Sequence, residues 1–130
     1  MEAFMDENRK VVRWNIILPV RYVGLSRHTE SSATTKDLSV LGAKLTMVER
    51  HRVGDKLEMK LDMPVGESNN SMCVEADVVW QKPVCDFEEG CNYITGVVFR
   101  KVRDCYKKSL AEYVSVNHPQ EFRQHWWDGV

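Results

Sequence analysis

A basic stretch near the N-terminus, RKVVR, has the residue types that hold an anion. It places Arg9, Lys10 and Arg13 within one short segment, directly before a stretch that alternates like a strand. A guanidinium can bind a phosphate through two parallel hydrogen bonds, and it can also reach the O6 and N7 acceptors of guanine or stack on the ring. If the chain has no second element that binds the same ligand, these cations form only a solvated basic patch that offsets the negative charges of Asp6 and Glu7.

A second stretch, TKDLSVLGAKL, supplies the complementary chemistry. Asp37 and Ser39 are two residues apart, so an extended chain would direct both side chains to one face. An ionised Asp only accepts hydrogen bonds, which suits the N1–H and N2–H₂ donors of guanine. Gly42 would allow a sharp turn or the close approach of a ligand. The alternative is that the acid and the hydroxyl only cap their own turn.

The overall composition limits what such a site could bind. The chain has 130 residues and a formal net charge of -1, which fits one domain without a generally basic surface. Binding of an anion must therefore come from a local cluster of Arg and Lys. The N-terminus lacks a basic and apolar secretory signal, and no stretch is long enough to span a bilayer. We therefore expect a cytoplasmic protein that does not bind membranes.

The cysteines and histidines give no sign of a metal site or a catalytic site. The cysteines have no paired C-x-x-C spacing, which favours free thiols in a reducing compartment over a zinc site or a disulfide framework. No motif places a Ser, a Cys or an acid beside a histidine, so we expect no catalytic residue and no enzyme. The cysteines are Cys73, Cys85, Cys91 and Cys105.

Alternating apolar residues predict strands along most of the chain. The pattern is clear over residues 14–22 and in KLEMKLDM, and it predicts about six antiparallel strands whose closure into a small barrel would remove exposed edges. The segments MPVGESNNS and KPVCDFEEGCN interrupt it and are predicted as loops. From Val102 to about Asn117 the apolar spacing changes to three and four, which predicts one amphipathic helix ended by Pro119.

Taken together, the motifs and the strand series resemble the PilZ domains, which are bacterial receptors for cyclic di-GMP. RKVVR and DLSVLG match the family's RxxxR and D/N-x-S-x-x-G, the first before strand one and the second between strands two and three. The similarity continues through GDKLEMKLDMP, ADVVWQ and YITGVVF to the final helix, over about residues 7–116. It implies a mainly β fold, a six-stranded antiparallel split barrel with a C-terminal α-helix.

The resemblance also implies which residues contact cyclic di-GMP. Arg9 and Arg13 would lie on the phosphates and the guanine faces, and Asp37 and Ser39 on a guanine and its neighbouring phosphate. Lys10 occupies a variable position of the motif and would add an electrostatic contact.

Two further positions complete the site that the resemblance implies. Gly42 would keep the backbone open to the ligand. Trp80 matches a strand position from which some family members stack an aromatic ring on the ligand, although its parity with Ala76 and Val78 favours packing in the core.

The resemblance divides the chain into an arm over residues 1–15, a barrel and helix over residues 16–117, and a tail over residues 118–130. The tail carries Trp126 and Trp127, which we expect to pack on the barrel, on a second copy in a homodimer or on a partner. The implied function is a receptor that binds cyclic di-GMP without a cofactor or a metal, changes the conformation of its arm and signals to a separate protein.

Two other functions remain as alternatives. One is a PilZ-fold adaptor that binds proteins and has weak or no nucleotide binding, against which the intact motifs argue. The other is binding of a single-stranded nucleic acid, which would need basic and aromatic residues interleaved across the strands. Since KLEMKLDM and VEADVVW place acids there, we expect no nucleic-acid polymer as a partner.

Overall fold

Six strands and one helix make up the part of the chain that the computed structural model describes, which is residues 13–24, 29–65, 67–88, 90–120 and 122. Arg9 and Lys10 of the basic motif, and Trp126 and Trp127 of the tail, lie outside the described residues. The elements are β1 (Pro19–Gly24), β2 (Ser31–Leu38), β3 (Gly42–Met47), β4 (Lys56–Val65), β5 (Ser68–Asp86), β6 (Gly90–Phe99) and α1 (Asp104–Asn117).

Antiparallel pairing closes the strands into a barrel in the order β1-β2-β3-β6-β5-β4, with β4 returning to β1. The predicted six-stranded barrel is therefore confirmed. Its core is built from alternate residues, as the periodicity requires. The alternation begins before β1, because Trp14, Ile16 and Leu18 are buried while the residues between them are exposed.

The helix α1 packs on the barrel through Leu110, Tyr113 and Val114. At its C-terminal end, Asn117 Nδ2 donates a hydrogen bond to the carbonyl oxygen of Pro64 at the end of β4, at 3.1 Å. Burial raises the pKa of the Tyr113 hydroxyl. The predicted C-terminal helix is confirmed, and no helix in the described ranges is long and apolar enough to cross a membrane.

Both predicted loops are wrong, because the strands on either side continue through them. β4 and β5 stay paired as far as Val65 and Ser68, and β5 and β6 as far as Asp86 and Gly90. Pairing in a hairpin satisfies the backbone N–H and C=O groups whatever the side chains are. Polar residues therefore mark solvent exposure here, and they do not mark the end of a strand.

The cysteine prediction is wrong for one pair. Cys85 and Cys91 face each other across the β5–β6 hairpin, with a Cα–Cα distance of 4.0 Å, and form a disulfide. Their spacing in the sequence gave no sign of this because the pairing depends on the register of a hairpin, and the segment was predicted to be a loop. Cys73 and Cys105 are free, as predicted, and both are exposed.

Candidate ligand-binding site

An isolated bridge between the start of the described chain and β2 places Arg13 beside Asp37. Trp14 and Leu38 exchange two backbone hydrogen bonds, each of 2.9 Å, and the Trp14 side chain is buried in the core. This anchors the neighbouring residue at the end of β2, where Arg13 Nη1 donates a hydrogen bond to Asp37 Oδ1 at 3.5 Å. Arg13 of the RKVVR motif is therefore in contact with Asp37 of the DLSVLG motif.

A bulge in β2 turns Asp37 toward a second cation. The pairing of β2 with β3 shifts between Thr35 and Asp37, which leaves Lys36 as the extra residue and sets Asp37 opposite Lys44. Lys44 Nζ lies 3.6 Å from Asp37 Oδ2. The Asp37 side chain is only 13% exposed, whereas those of Arg13 and Lys44 are 56% and 41% exposed. The carboxylate is thus half-enclosed by two cations that remain accessible to solvent.

Trp80 lies on the outer wall of the barrel, so the expectation of core packing is wrong. The pairing of β5 with β6 shifts between Val78 and Trp80, and the extra residue, Val79, reverses the parity of the strand. Val78 is buried, and Trp80 is 38% exposed. The indole lies directly over Gly96, where an added Cβ would overlap the Nε1, Cε2 and Cδ1 atoms of the ring.

An open pocket of about 370 Å³ connects these residues on the outer wall. It brings Asp37 and Trp80 together with lysines from β2, β3 and β5, which makes it rich in positive charge. Lys44 and Lys82 could not be identified from the sequence, because only the folding of the strands brings them to the pocket that Asp37 lines. The pocket is lined by Asn15, Lys36, Asp37, Lys44, Trp80, Lys82 and Ile94.

The hydroxyl of Ser39 serves the turn between β2 and β3. It donates to the carbonyl oxygen of Gly42 at 3.3 Å and accepts from the N–H groups of Leu41 and Gly42 at 3.1 and 3.2 Å. Ser39 is 1% exposed and lies beyond the end of β2 at Leu38, so the expectation that it shares a face with the acid of its motif does not hold. A Cβ on Gly42 would overlap the carbonyl oxygen of Val97, so this glycine permits the close approach of β6.

A larger pocket, of about 650 Å³, lies away from the motif residues. The polar side chains in its lining make contacts that hold neighbouring segments of the fold together. His51 in its lining lies between two carboxylates, with Nε2 3.7 Å from Glu49 Oε2 and Nδ1 3.6 Å from Asp55 Oδ2. Gln81 accepts a hydrogen bond from the backbone N–H of His51 at 2.7 Å and donates one to the carbonyl oxygen of Glu49 at 3.1 Å. These contacts hold the segment between β3 and β4 against β5.

The sequence matches the model of the PilZ domain over residues 7–115, most of the chain. The chain belongs to the PilZ family. PilZ domains are non-catalytic receptors, and the family generally binds cyclic di-GMP. No curated protein matches the sequence.

Solved structures share the fold of this PilZ domain at low sequence identity. The inhibitor of motility MotI/DgrA from Bacillus subtilis has a TM-score of 0.68 at 16% identity, over 87% of this chain and 52% of that chain. The PilZ domain of YcgR from Escherichia coli with c-di-GMP has a TM-score of 0.64 at 12% identity, over 89% of this chain and 96% of that chain. For the MrkH–c-di-GMP complex of K. pneumonia the TM-score is 0.66 at 11% identity, over 89% of this chain and 55% of that chain. The chain thus spans about half the length of the Bacillus and Klebsiella proteins.

Proposed function

We propose that this PilZ domain is a receptor for cyclic di-GMP whose recognition of guanine is centred on Asp37. The observation that carries the proposal is the position of this carboxylate, which lies between Arg13 and Lys44 on the wall of the pocket that Trp80 also lines. An acceptor, flanking cations and an exposed aromatic ring match the edge, the phosphates and the face of a guanine nucleotide. The general ligand of the family supports the same assignment.

The ion pairs of Asp37 are of the kind that a ligand can replace at little cost. Their N···O distances of 3.5 and 3.6 Å are long, and both cations are largely in solvent, where such pairs contribute little to stability. Phosphate oxygens of the ligand would replace Asp37 as the partner of both cations. Arg13 would bind them through two hydrogen bonds, and Lys44 would act as a point charge. The carboxylate is then free to accept from the N1–H and N2–H₂ groups of guanine.

Trp80 is the candidate for the stacking contact. Its ring is exposed on the outer wall and has the unsubstituted backbone of Gly96 directly behind it. A ring held against the sheet in this way loses little freedom when a base stacks on it, and such stacking contributes about 1–3 kcal/mol per base.

The pocket supplies the positive charge that the chain as a whole lacks. Lys36, Lys44 and Lys82 line it, and Arg13 adjoins it, against the single carboxylate of Asp37, although the formal net charge of the chain is -1. A local cluster of this kind attracts a ligand with two phosphates, and the attraction weakens with added salt.

We propose further that the arm carrying Arg9 and Lys10 closes over the bound ligand. Together with Arg13 these cations are like charges close in sequence, and a ligand with two phosphates would give each of them a partner. Closure of the arm would create the surface that a separate protein partner in the cytoplasm recognises.

Calorimetric titration of the full chain with cyclic di-GMP, GTP and a short oligonucleotide tests the receptor function. We expect selective binding of cyclic di-GMP, weakened by about tenfold or more in Asp37→Ala. The matched control is Asp62→Ala, because Asp62 also pairs with an arginine, Arg21 at 3.2 Å, but lies outside the pocket. Similar responses to all three compounds, or a folded Asp37→Ala variant with unchanged affinity, would overturn the proposal.

A further inference from the structure

The β5–β6 hairpin ends in a two-stranded ribbon that extends past the barrel. In the described part of the chain, residues 84–86 pair with residues 90–92 and with no third strand. The pairing of β4 with β5 ends at Asp77, and the pairing of β3 with β6 ends at Tyr93. An isolated two-stranded ribbon is only marginally stable in water. The order of this segment therefore depends on what holds its two strands together.

The disulfide between Cys85 and Cys91 links the two strands of this ribbon. Both cysteines are exposed, so a small thiol can reach their sulfur atoms. Exposed disulfides are the ones that exchange readily with thiols.

The same ribbon leads directly into the wall of the ligand pocket. Lys82 and Ile94 are paired with each other across β5 and β6, and both line the pocket. Cys85 lies three positions after Lys82 along β5, a distance of about 10 Å in an extended strand. A change in the order of the ribbon therefore reaches two residues that face the ligand.

We propose that Cys85 and Cys91 form a thiol–disulfide exchange site, with a low-molecular-weight thiol as co-reactant, that sets the order of the ribbon and thereby of the pocket wall at Lys82 and Ile94. The thiolate of the small molecule attacks one cysteine sulfur, and the S–S bond breaks as a mixed disulfide forms. A second small thiolate attacks the small-molecule sulfur of the mixed disulfide and displaces the cysteine thiolate, so that two RSH reduce the protein disulfide to two thiols and leave as RSSR. The reverse reaction, with RSSR as oxidant, restores the crosslink. The effect on ligand affinity rests on the proposed function.

The exchange itself is tested by counting thiols in the full chain, equilibrated with reduced or oxidised glutathione. We expect two reactive thiols in the oxidised protein, from Cys73 and Cys105, and four in the reduced protein. The variant Cys73→Ser/Cys105→Ser keeps the pair and should show a change from none to two. Four thiols under both conditions would overturn the proposal.

Backbone amide exchange tests the effect on the ribbon. Residues 84–86 and 90–92 should exchange about tenfold faster or more in the reduced protein, and equally fast under both conditions in Cys85→Ser/Cys91→Ser. The strand β4 is the internal reference and should not respond. Equal exchange of the ribbon in both redox states would overturn the proposal.

Titration with cyclic di-GMP in the two states separates this inference from the receptor function. We expect weaker binding in the reduced protein, and no effect of glutathione on the affinity of Cys85→Ser/Cys91→Ser. Equal affinities in both states would overturn the coupling while leaving the receptor function intact. Absence of binding in both states would overturn the receptor function, and the exchange site would then be judged by the thiol count and the amide exchange.

Discussion

Asp37 is the residue at which the chemistry predicted from the sequence and the geometry of the barrel agree most closely. If the carboxylate accepts hydrogen bonds from guanine, Asp37→Ala should weaken binding of cyclic di-GMP by about tenfold or more, because the base loses its acceptor. Asp37→Asn keeps one acceptor and should lose less. Calorimetric affinities of the two variants check this, and a weaker affinity for Asn than for Ala would contradict the hydrogen-bond assignment.

Arg13 allows a second test at the scale of the single residue, because its charge-assisted contact to a phosphate has no substitute in Arg13→Ala. We expect the loss of about 2 kcal/mol of binding free energy or more, which corresponds to about thirtyfold in affinity. The matched control is Arg21→Ala, since Arg21 also pairs with a surface carboxylate, that of Asp62. Unchanged affinity in a folded Arg13→Ala variant would remove the phosphate contact from the proposal.

Ser39 shows how a motif residue can act through the backbone. Its hydroxyl satisfies the N–H groups of Leu41 and Gly42 within a buried turn, so Ser39→Ala should lower the free energy of unfolding by about 1–3 kcal/mol. Urea denaturation measures this change. An unaltered stability together with a loss of affinity would instead favour the direct ligand contact that the family resemblance implies.

At the scale of the elements, the sequence predicted the strands, the barrel and the final helix, because alternation and helical spacing follow directly from which face is buried. It could not predict the bulges at Lys36 and Val79. Each bulge inserts one residue, which changes the side chains that face outward without changing the local composition. The sequence pattern therefore predicts Trp80 in the core, whereas the bulge at Val79 places it on the outer wall. The registers of the long hairpins could not be predicted either, because the sequence of one strand does not determine which residues of the next strand it pairs with. The Cys85–Cys91 disulfide depends on such a register and was missed for the same reason.

The helix α1 makes the stability of the fold dependent on pH at the alkaline end. Burial raises the pKa of Tyr113 above its ordinary value of 10.0, so the folded state holds this proton more tightly than the unfolded state does. The resulting contribution to stability is complete below pH 10 and is lost as the pH rises through the folded-state pKa. Urea denaturation between pH 8 and pH 11 should therefore show a smaller loss of stability for Tyr113→Phe than for the unaltered chain. Identical losses in the two proteins would contradict this role for the tyrosine.

At the scale of the whole molecule, the barrel serves as a fixed wall on which motifs distant in sequence meet. The Trp14–Leu38 bridge ties the start of the described chain to β2, and β3, β5 and β6 present the remaining pocket residues. Of the contacts that the family resemblance implied, Arg13, Asp37 and Trp80 lie at this wall, whereas Ser39 and the glycine of its motif shape the turn beside it.

The arm gives the last prediction, which concerns the response of the whole chain to its ligand. The basic motif places like charges close together, with acids only on their N-terminal side, so binding of two phosphates should bring Arg9 and Lys10 against the wall that carries Asp37. We expect the backbone amides of residues 7–12 to exchange freely without ligand and to become protected with cyclic di-GMP. Residues 56–61 of β4, of which 57–61 are paired on both sides, are the internal reference and should hardly change. Equal protection of residues 7–12 in both states would mean that the site is preformed, and the signal to a partner would then have to come from a change in oligomeric state.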